Sequence, residues 1–345
     1  MNTPPSLRRP VEYGVISLAD HLMDPVSGHK TSQRERLHQI SRQAILAEEA
    51  GFDHFGVGEH HFGRYISPAP QLILATVAER TSRIVLGTSV SLLANVDPVR
   101  YAEQLAMLDM LTDGRAEATF ARGVNDGTAK AFGINSTEEL RERFEESLRL
   151  VIRLLSEDEV TWEGTFRTPI ERVRIEPRPL QKAQDMLWIG GGLSPISAAL
   201  SADVGLPLML PSLFRWPADY LEIVDHYRQE CAAKGVVPRI GFPAYLHVAR
   251  TSQEARARWR PHLEHYQSFA MDVRGSFGRP TDFASLLTGP AICGSPAECV
   301  ERIAEINAML GLDRHVFLMD IGGLPWHQLT EAIDLLATEV MPHLW

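Results

Sequence analysis

The chain of 345 residues lacks the features that tie a protein to a membrane or to nucleic acid. No apolar run approaches the roughly 18 residues that span a bilayer, and the N-terminal segment has no apolar signal-peptide core. The net charge is −10, and the basic residues form no cluster larger than pairs such as Arg8-Arg9. Such a composition disfavours nucleic acid as the main partner, and we expect a cytoplasmic protein.

Cysteine is scarce, and a dinucleotide-binding fingerprint is missing. The three cysteines are odd in number and no pair has CxxC spacing, which argues against a disulfide framework and a zinc ribbon. They are Cys231, Cys293 and Cys299. No GxGxxG motif follows the first β-rich segment, which weakens the prediction of a doubly wound nucleotide-binding fold.

The sequence does contain a regular alternation of β-rich segments and segments with helical periodicity. The predicted strands are 11–18, 53–58, 84–90, 115–120, 186–190, 206–210, 240–249 and 315–320. The predicted helices are 32–50, 69–82, 98–112, 137–155, 195–203, 217–233, 252–270, 296–310 and 325–340. Eight βα units favour a (β/α)8 TIM barrel over a doubly wound sheet, which typically uses about five or six strands.

Two segments depart from this alternation. Residues 156–185 contain short β-type segments around Glu163-Gly164 and predict an inserted β-hairpin. Residues 271–291 are rich in Gly, Ser, Thr and Pro, and predict a long active-site loop. Because no linker divides the chain, we expect a single domain over residues 1–345.

In a barrel of this type, function lies at the C-terminal ends of the strands. The second predicted strand leads into Gly58-Glu59-His60-His61-Phe62. Because side chains alternate along a strand, His60 shares a face with Gly56 and Gly58, which leave room for a flat ligand. Adjacent histidines on opposite faces do not converge on a metal, so the pattern favours His60 as a general base. A structural hydrogen-bonding role is the alternative.

Two other strand ends carry features that suit an anion. Arg122 follows the fourth strand and can hold a phosphate bidentately, although an ion pair with Asp126 or Glu59 is an equal alternative. The fifth strand leads into the segment 190–195, whose three glycines precede the helix-capping Ser194. Exposed amides at a helix start favour an anion, whereas a tight turn is the alternative. Since both features fall at the same rim, a phosphate contact is favoured.

These residues, in this order, resemble the bacterial luciferase-like family of flavin-dependent monooxygenases, especially the luciferase α subunit and the alkanal monooxygenases. The likeness extends over nearly the whole chain. It rests on the segments 49–53, 58–62, 87–88, 97–103, 108–115, 121–126, 205–207, 294–299 and 340–344.

The resemblance implies a barrel that takes reduced FMN from a separate flavin reductase, activates O2 as a C4a-peroxyflavin and oxygenates a small organic substrate. His60 matches the catalytic histidine of the family, Arg122 its phosphate-binding arginine and Ser194 its phosphate-contacting serine. The Ser89-Val90 bond matches a non-prolyl cis peptide that lies against the flavin ring. Further flavin contacts are expected at four neighbouring positions: Gly123, Val124, Gly191 and Gly192.

The sequence also departs from the family's pattern. Ala121 stands where luciferase has a reactive cysteine, so light emission is not implied. The segment 271–291 corresponds loosely to the family's active-site lid but is shorter. Relatives of the same fold include F420-dependent hydride-transfer enzymes and a non-catalytic flavin-binding protein, and a shared fold does not decide among them.

Members of the family commonly form homodimers through the helices that follow the second and third strands. The corresponding helices here are 69–82 and 98–112. In the first of them, Ala75, Val77 and Ala78 would suit close helix packing, so we expect a homodimer.

Overall fold

A computed structural model describes residues 10–123, 126–192, 194–211, 215–274 and 282–345. Within these ranges, eight parallel strands close into a barrel, which confirms the predicted (β/α)8 TIM fold. The strands of the structure are β1 (Glu12–Ser17), β2 (His54–Val57), β3 (Val85–Leu92), β4 (Ala116–Ala121), β5 (Val160–Trp162), β6 (Ile170–Val173), β7 (Leu187–Gly190), β8 (Leu208–Met209), β9 (Ile240–Val248), β10 (Ala291–Gly294) and β11 (Arg314–Leu318). Around the barrel the order is β9, β11, β1, β2, β3, β4, β7 and β8, and β8 pairs with β9 to close the ring.

Several of the helices begin after a capping Ser or Asp side chain. They are α1 (Gln33–Glu49), α2 (Pro70–Ala78), α3 (Pro98–Leu111), α4 (Asp126–Ala131), α5 (Thr137–Ser156), α6 (Ala183–Met186), α7 (Pro195–Asp203), α8 (Leu221–Lys234), α9 (Ser252–Arg274), α10 (Phe283–Thr288), α11 (Pro296–Leu310) and α12 (Trp326–Leu335). The Asp97 carboxylate accepts the N–H of Val99 at 3.0 Å, and Ser295 forms a capping box with Glu298. Among the described residues, no helix is long and apolar enough to cross a membrane.

The inserted hairpin is confirmed, because β5 and β6 pair in antiparallel fashion. The prediction of one long loop over 271–291 is wrong for the part that the structure describes; residues 275–281 lie outside it. Helix α9 continues to Arg274, α10 follows a cap in which Asp282 accepts the N–H of Ser285 at 2.7 Å, and β10 pairs with β9. A six-residue helix is too short to show a clear periodicity, so the sequence pattern missed it.

A buried polar layer lies at the N-terminal ends of the barrel strands, opposite the predicted site. Arg314 bonds Glu12 and Glu117, and its guanidinium lies 4.4 Å from the ring centroid of Trp188. Burial alone would lower the pKa of Arg314, but the two carboxylates raise it above its usual value. Burial and Arg314 together hold the pKa of His54 well below its usual value. This paired layer fills the N-terminal end of the barrel, opposite the candidate site.

Candidate active site at the C-terminal end of the barrel

The residues predicted from the strand ends lie side by side on one part of the barrel mouth. Strands β2, β3, β4 and β7 are consecutive neighbours in the sheet. Because the strands are parallel, their C-terminal ends meet at the same edge. His60 follows β2, Ser89-Val90 lies within β3, Arg122-Gly123 follows β4, and the residues 191–194 follow β7.

His60 lies on the small face that the alternation of β2 predicts. A Cβ atom added at Gly58 would lie 3.6 Å from His60 Nε2, so the two residues share a face. A Cβ atom added at Gly56 would lie 2.5 Å from Ser89 Oγ, which is closer than real Cβ atoms approach. Glycine at position 56 therefore leaves the room that the Ser89 side chain of β3 occupies.

His61 has a different set of partners from His60. Its Nε2 atom lies 2.7 Å from Glu59 Oε1, and its ring meets Phe132 edge-on with centroids 4.8 Å apart. His60 instead stacks on the ring of Tyr65, with centroids 4.0 Å apart. Within the described ranges, no group of three or more His, Cys, Asp or Glu side chains is placed to hold a metal ion.

The peptide bond between Ser89 and Val90 is cis, as the family resemblance predicts. Val90 also approaches a glycine of β7, which lies beyond β4 in the sheet: a Cβ atom added at Gly190 would lie 3.3 Å from Val90 Cγ1 and 3.2 Å from Ala121 Cβ. Glycines of β2, the adjacent strand, and of β7, two strands away on the other side, therefore lie close to this segment of β3. The result is a smooth surface that suits one face of a flat ring.

Polar groups from two strand ends converge around Gly192. A Cβ atom added there would lie 3.8 Å from Arg122 Nη2, 3.9 Å from the backbone nitrogen of Ser194 and 3.9 Å from Ser197 Oγ. A guanidinium, a helix-start amide and a hydroxyl thus surround one small space. This donor set suits a phosphate, and we call these four residues the phosphate cradle.

The electrostatics of the cradle also favour an anion. Burial and the nearby guanidinium of Arg141 lower the pKa of Arg122. An anion bound beside Arg122 would offset part of this repulsion. Of the two ion-pair partners considered for Arg122, Glu59 is engaged by His61 and by the N–H of Leu92. The side chain of Asp126, the other partner, lies outside the described residues, as does the predicted flavin contact Val124.

Sequence patterns missed two residues of this region, Ser197 and Arg141. Ser197 lies on the first turn of α7, three positions after Ser194, and this spacing was a usable signal. Arg141 belongs to α5, where it pairs with Glu138, and only the fold brings it near Arg122. Of the remaining predicted contacts, Gly123 has a φ of 83°, and Gly191 lies beside Leu208 of β8.

An apolar and aromatic cluster covers the barrel mouth next to His60. It consists of buried side chains from the loops after β1 and β2, from inner barrel positions and from α9 and α10. Its members at the mouth include Leu18, Leu22, Tyr65, Tyr245, Tyr266 and Phe269. Such a wall limits the access of water to the space beside the imidazole.

A separate cavity of about 210 Å³ opens beside this site, between the loop after β3, α5 and the hairpin. Asn95, Asp97, Arg143 and Arg167 are among the residues that line it. Phe132 also lines it and contacts His61, so the cavity adjoins the site without containing the phosphate cradle.

Comparisons with known proteins identify the family of the chain. The sequence profile of the family described as luciferase-like monooxygenase matches residues 11–314. Limonene 1,2-monooxygenase of Rhodococcus erythropolis is 27% identical over 322 residues, which cover 89% of this chain and 81% of the relative. The oxygenase component of a flavin-dependent trigonelline monooxygenase from Acinetobacter baylyi is 21% identical, and the match covers 93% of both proteins.

Solved structures share the architecture over almost the full chain. Monooxygenase RslO1 from Streptomyces bottropensis has a TM-score of 0.84 at 29% identity, covering 96% of this chain and 99% of that one. The oxygenating constituent of 3,6-diketocamphane monooxygenase from Pseudomonas putida, in complex with FMN, has a TM-score of 0.81 at 17% identity, covering 98% and 99%. An F420-dependent tetrahydromethanopterin reductase from Methanopyrus kandleri has a TM-score of 0.74 at 18% identity, covering 98% and 100%.

These last two structures, at such low identity, show the fold alone. The profile match and the named relatives show more, because they extend over most of the chain and are monooxygenases, one of them flavin-dependent. The chain therefore belongs to the luciferase-like monooxygenase family.

Proposed function

We propose that this protein is the oxygenase component of a two-component monooxygenase that uses reduced FMN and O2 to oxygenate a small organic substrate. The observation that carries the proposal is the phosphate cradle, in which Arg122, Ser194 and Ser197 surround the space beside Gly192. FMN ends in a phosphate, and the smooth surface at Ser89-Val90 on the adjacent strands suits its ring. The residues present thus fit the cofactor at both of its ends.

Each part of the site has a distinct role in this proposal. Reduced FMN, when bound, supplies the electrons that activate O2. Arg122 and Ser194 hold the phosphate and so fix the position of the ring. His60 holds or delivers a proton at its imidazole nitrogen, next to the glycine face of β2. The apolar cluster from α9 excludes water, which limits wasteful loss of reducing equivalents as H2O2.

Two partners follow from the proposal. A separate flavin reductase supplies the reduced cofactor, which is supported by the designation of the trigonelline relative as an oxygenase component. A second copy of this chain covers α2 and α3, whose exposed apolar side chains support a dimer face. These side chains are Leu72, Met107, Met110 and Leu111. The expectation that Val77 and Ala78 lie at that face is wrong, because both are buried in the protomer's own core.

The test compares cofactors under anaerobic conditions. Reduced FMN and reduced F420 are titrated separately, and each complex is then mixed with O2 and candidate substrates for wild type and His60→Ala. Binding of reduced FMN with substrate oxygenation that falls in the variant supports the proposal. Binding of F420 with hydride transfer and no oxygenation would establish the alternative enzyme class. Tight flavin binding with no turnover that depends on His60 would indicate a non-catalytic flavin-binding protein.

A further inference from the structure

Tyr65 lies directly under the imidazole of His60. Its ring is 7% exposed, and the two ring planes are inclined by 25° with centroids 4.0 Å apart. This is a stacked contact, which involves the face of the imidazole. The nitrogen atoms of an imidazole carry their proton and lone pair in the ring plane. Stacking therefore fixes the orientation of the ring without engaging the atoms that transfer a proton.

The far side of Tyr65 is held by helix α9. The hydroxyl groups of Tyr65 and Tyr266 lie 3.2 Å apart, and the ring of Phe269 packs on Tyr65 with centroids 5.0 Å apart. Tyr266 is fully buried and Phe269 is 6% exposed. Both residues lie in α9, one turn of helix apart, so this helix fixes the position of the tyrosine ring.

The backbone of Tyr65 is also anchored from both flanks. Tyr65 itself forms an antiparallel bridge with Asp20 in the loop after β1. The N–H of His21 donates to the carbonyl of Arg64 at 2.6 Å, and the N–H of Ile66 donates to the carbonyl of Ala19 at 3.1 Å. The backbone is thus hydrogen-bonded to the loop after β1 on both sides of Tyr65.

We propose that Tyr65 is a positioning residue that fixes the plane of the His60 imidazole, and that the Tyr65–Tyr266 hydroxyl contact holds Tyr65 in place. The proposal rests on the proposed catalytic role of His60, to which it adds the residue that orients the ring. In this arrangement the aromatic ring of Tyr65 contacts His60, whereas its hydroxyl contacts Tyr266 of α9. Substitution can therefore separate the effects of the two contacts, because Tyr65→Phe removes only the hydroxyl and Tyr65→Leu also removes the aromatic ring.

The first measurement is NMR of the full-length, cofactor-free protein with labelled histidine rings. The His60 signals are assigned by their loss in His60→Ala. In the wild type, the stacked geometry predicts contacts between the His60 and Tyr65 ring protons and an upfield ring-current shift of the imidazole protons. Tyr65→Phe should retain that shift, and Tyr65→Leu should abolish it. Absence of both signals in the wild type would overturn the proposal, whatever the Tyr65 variants show.

The second measurement is turnover with reduced FMN. We expect Tyr65→Leu to lower kcat about tenfold or more, Tyr65→Phe and Tyr266→Phe to lower it about two- to fivefold each, and the double Phe variant to resemble either single one. Two results for Tyr65→Leu would contradict the positioning role of Tyr65. One is a wild-type kcat, and the other is a lowered kcat with an unchanged His60 shift. If His60→Ala leaves turnover unchanged, the proposed role of His60 fails, whereas the NMR result still decides whether Tyr65 orients the ring.

Discussion

The backbone N–H of Glu59 donates a 2.8 Å hydrogen bond to the carbonyl of Val90, which joins the end of β2 to the segment of β3 that borders the proposed ring surface. The carboxylate of Glu59 strengthens this connection, because Oε2 accepts the N–H of Leu92 at 3.0 Å. Oε1 lies 2.7 Å from Nε2 of His61. One buried side chain therefore ties together the strand that carries His60 and the strand that carries Val90.

Glu59→Gln should weaken the binding of reduced FMN about tenfold while the protein stays folded. A carboxylate can accept from both Leu92 and a His61 that donates from Nε2, whereas an amide that accepts from Leu92 presents only its NH2 group to His61, so that contact is lost. Loss of one buried hydrogen bond of this type costs about 1–2 kcal/mol. Anaerobic titration measures the change, and Glu49→Gln, at an exposed position of α1, is the control. Equal affinities for the two variants would show that Glu59 does not support the ring surface.

Arg122→Ala should raise the dissociation constant for reduced FMN about 10- to 100-fold, because charge-assisted hydrogen bonds to phosphate are worth about 1.5–3 kcal/mol. Arg122→Lys should have a smaller effect, since lysine keeps the charge but loses the bidentate fork. Reduced riboflavin, which has no phosphate, should bind wild type and Arg122→Ala equally well. If riboflavin binding falls as much as FMN binding, Arg122 does not act on the phosphate.

Gly192→Ala should block the phosphate cradle from inside without unfolding the protein. The added methyl group would lie 3.8 Å or more from its neighbours, which is ordinary contact, yet it would occupy the space that Arg122 and Ser197 surround. We expect FMN affinity to fall at least about tenfold, and unfolding free energy to change by less than about 1 kcal/mol. Thermal unfolding and titration with FMN and riboflavin measure both. Unchanged FMN affinity would place the phosphate elsewhere.

These residues also show which parts of the site the sequence could predict. His60, Arg122 and Ser194 each follow a β-rich segment next to a glycine. Because the C-terminal ends of parallel barrel strands lie at one rim, the sequence was enough to predict that these residues lie at that rim. Arg141 acts on the pKa of Arg122 only because the fold places α5 nearby, which no local pattern encodes. The helix α10 was missed for the related reason that its six residues depend on tertiary burial of Phe283 and Leu286.

Met107→Glu should dissociate the proposed dimer. Met107 is 52% exposed on α3, and an unpaired charge buried in an apolar interface opposes association. We expect the dimer dissociation constant to rise at least about tenfold, as measured by analytical ultracentrifugation. Val237→Glu, at a position 82% exposed and outside α2 and α3, is the matched control. A monomeric wild type at micromolar concentration, or equal dissociation of both variants, would contradict the assignment of this face.

The contribution of Asp20 to the free energy of unfolding should fall as the pH rises, whereas the contribution of an ordinary paired carboxylate rises with pH. Burial raises the pKa of Asp20 to about 7, although Arg36 lowers it, and the nearby charge of Asp320 raises it further. The N–H of Gly322 donates to Asp20 Oδ2 at 3.0 Å, and Arg36 also bonds Asp320. These are the groups that face the carboxyl from the neighbouring elements.

Because the folded-state pKa is above the ordinary value of 3.8, the folded state binds this proton more tightly than the unfolded state. The stability that the protonated Asp20 contributes is present below about pH 4 and is lost as the pH rises towards 7, by at most about 1.4 kcal/mol per pH unit. Asp20→Asn keeps the neutral form at every pH. The unfolding free energy of the variant minus that of wild type should therefore increase from pH 4 to pH 7. Denaturant unfolding across this range measures it, with the exposed Asp158→Asn as the control. A difference that is flat over this range, as expected for the control, would show that Asp20 is ionised in the fold throughout.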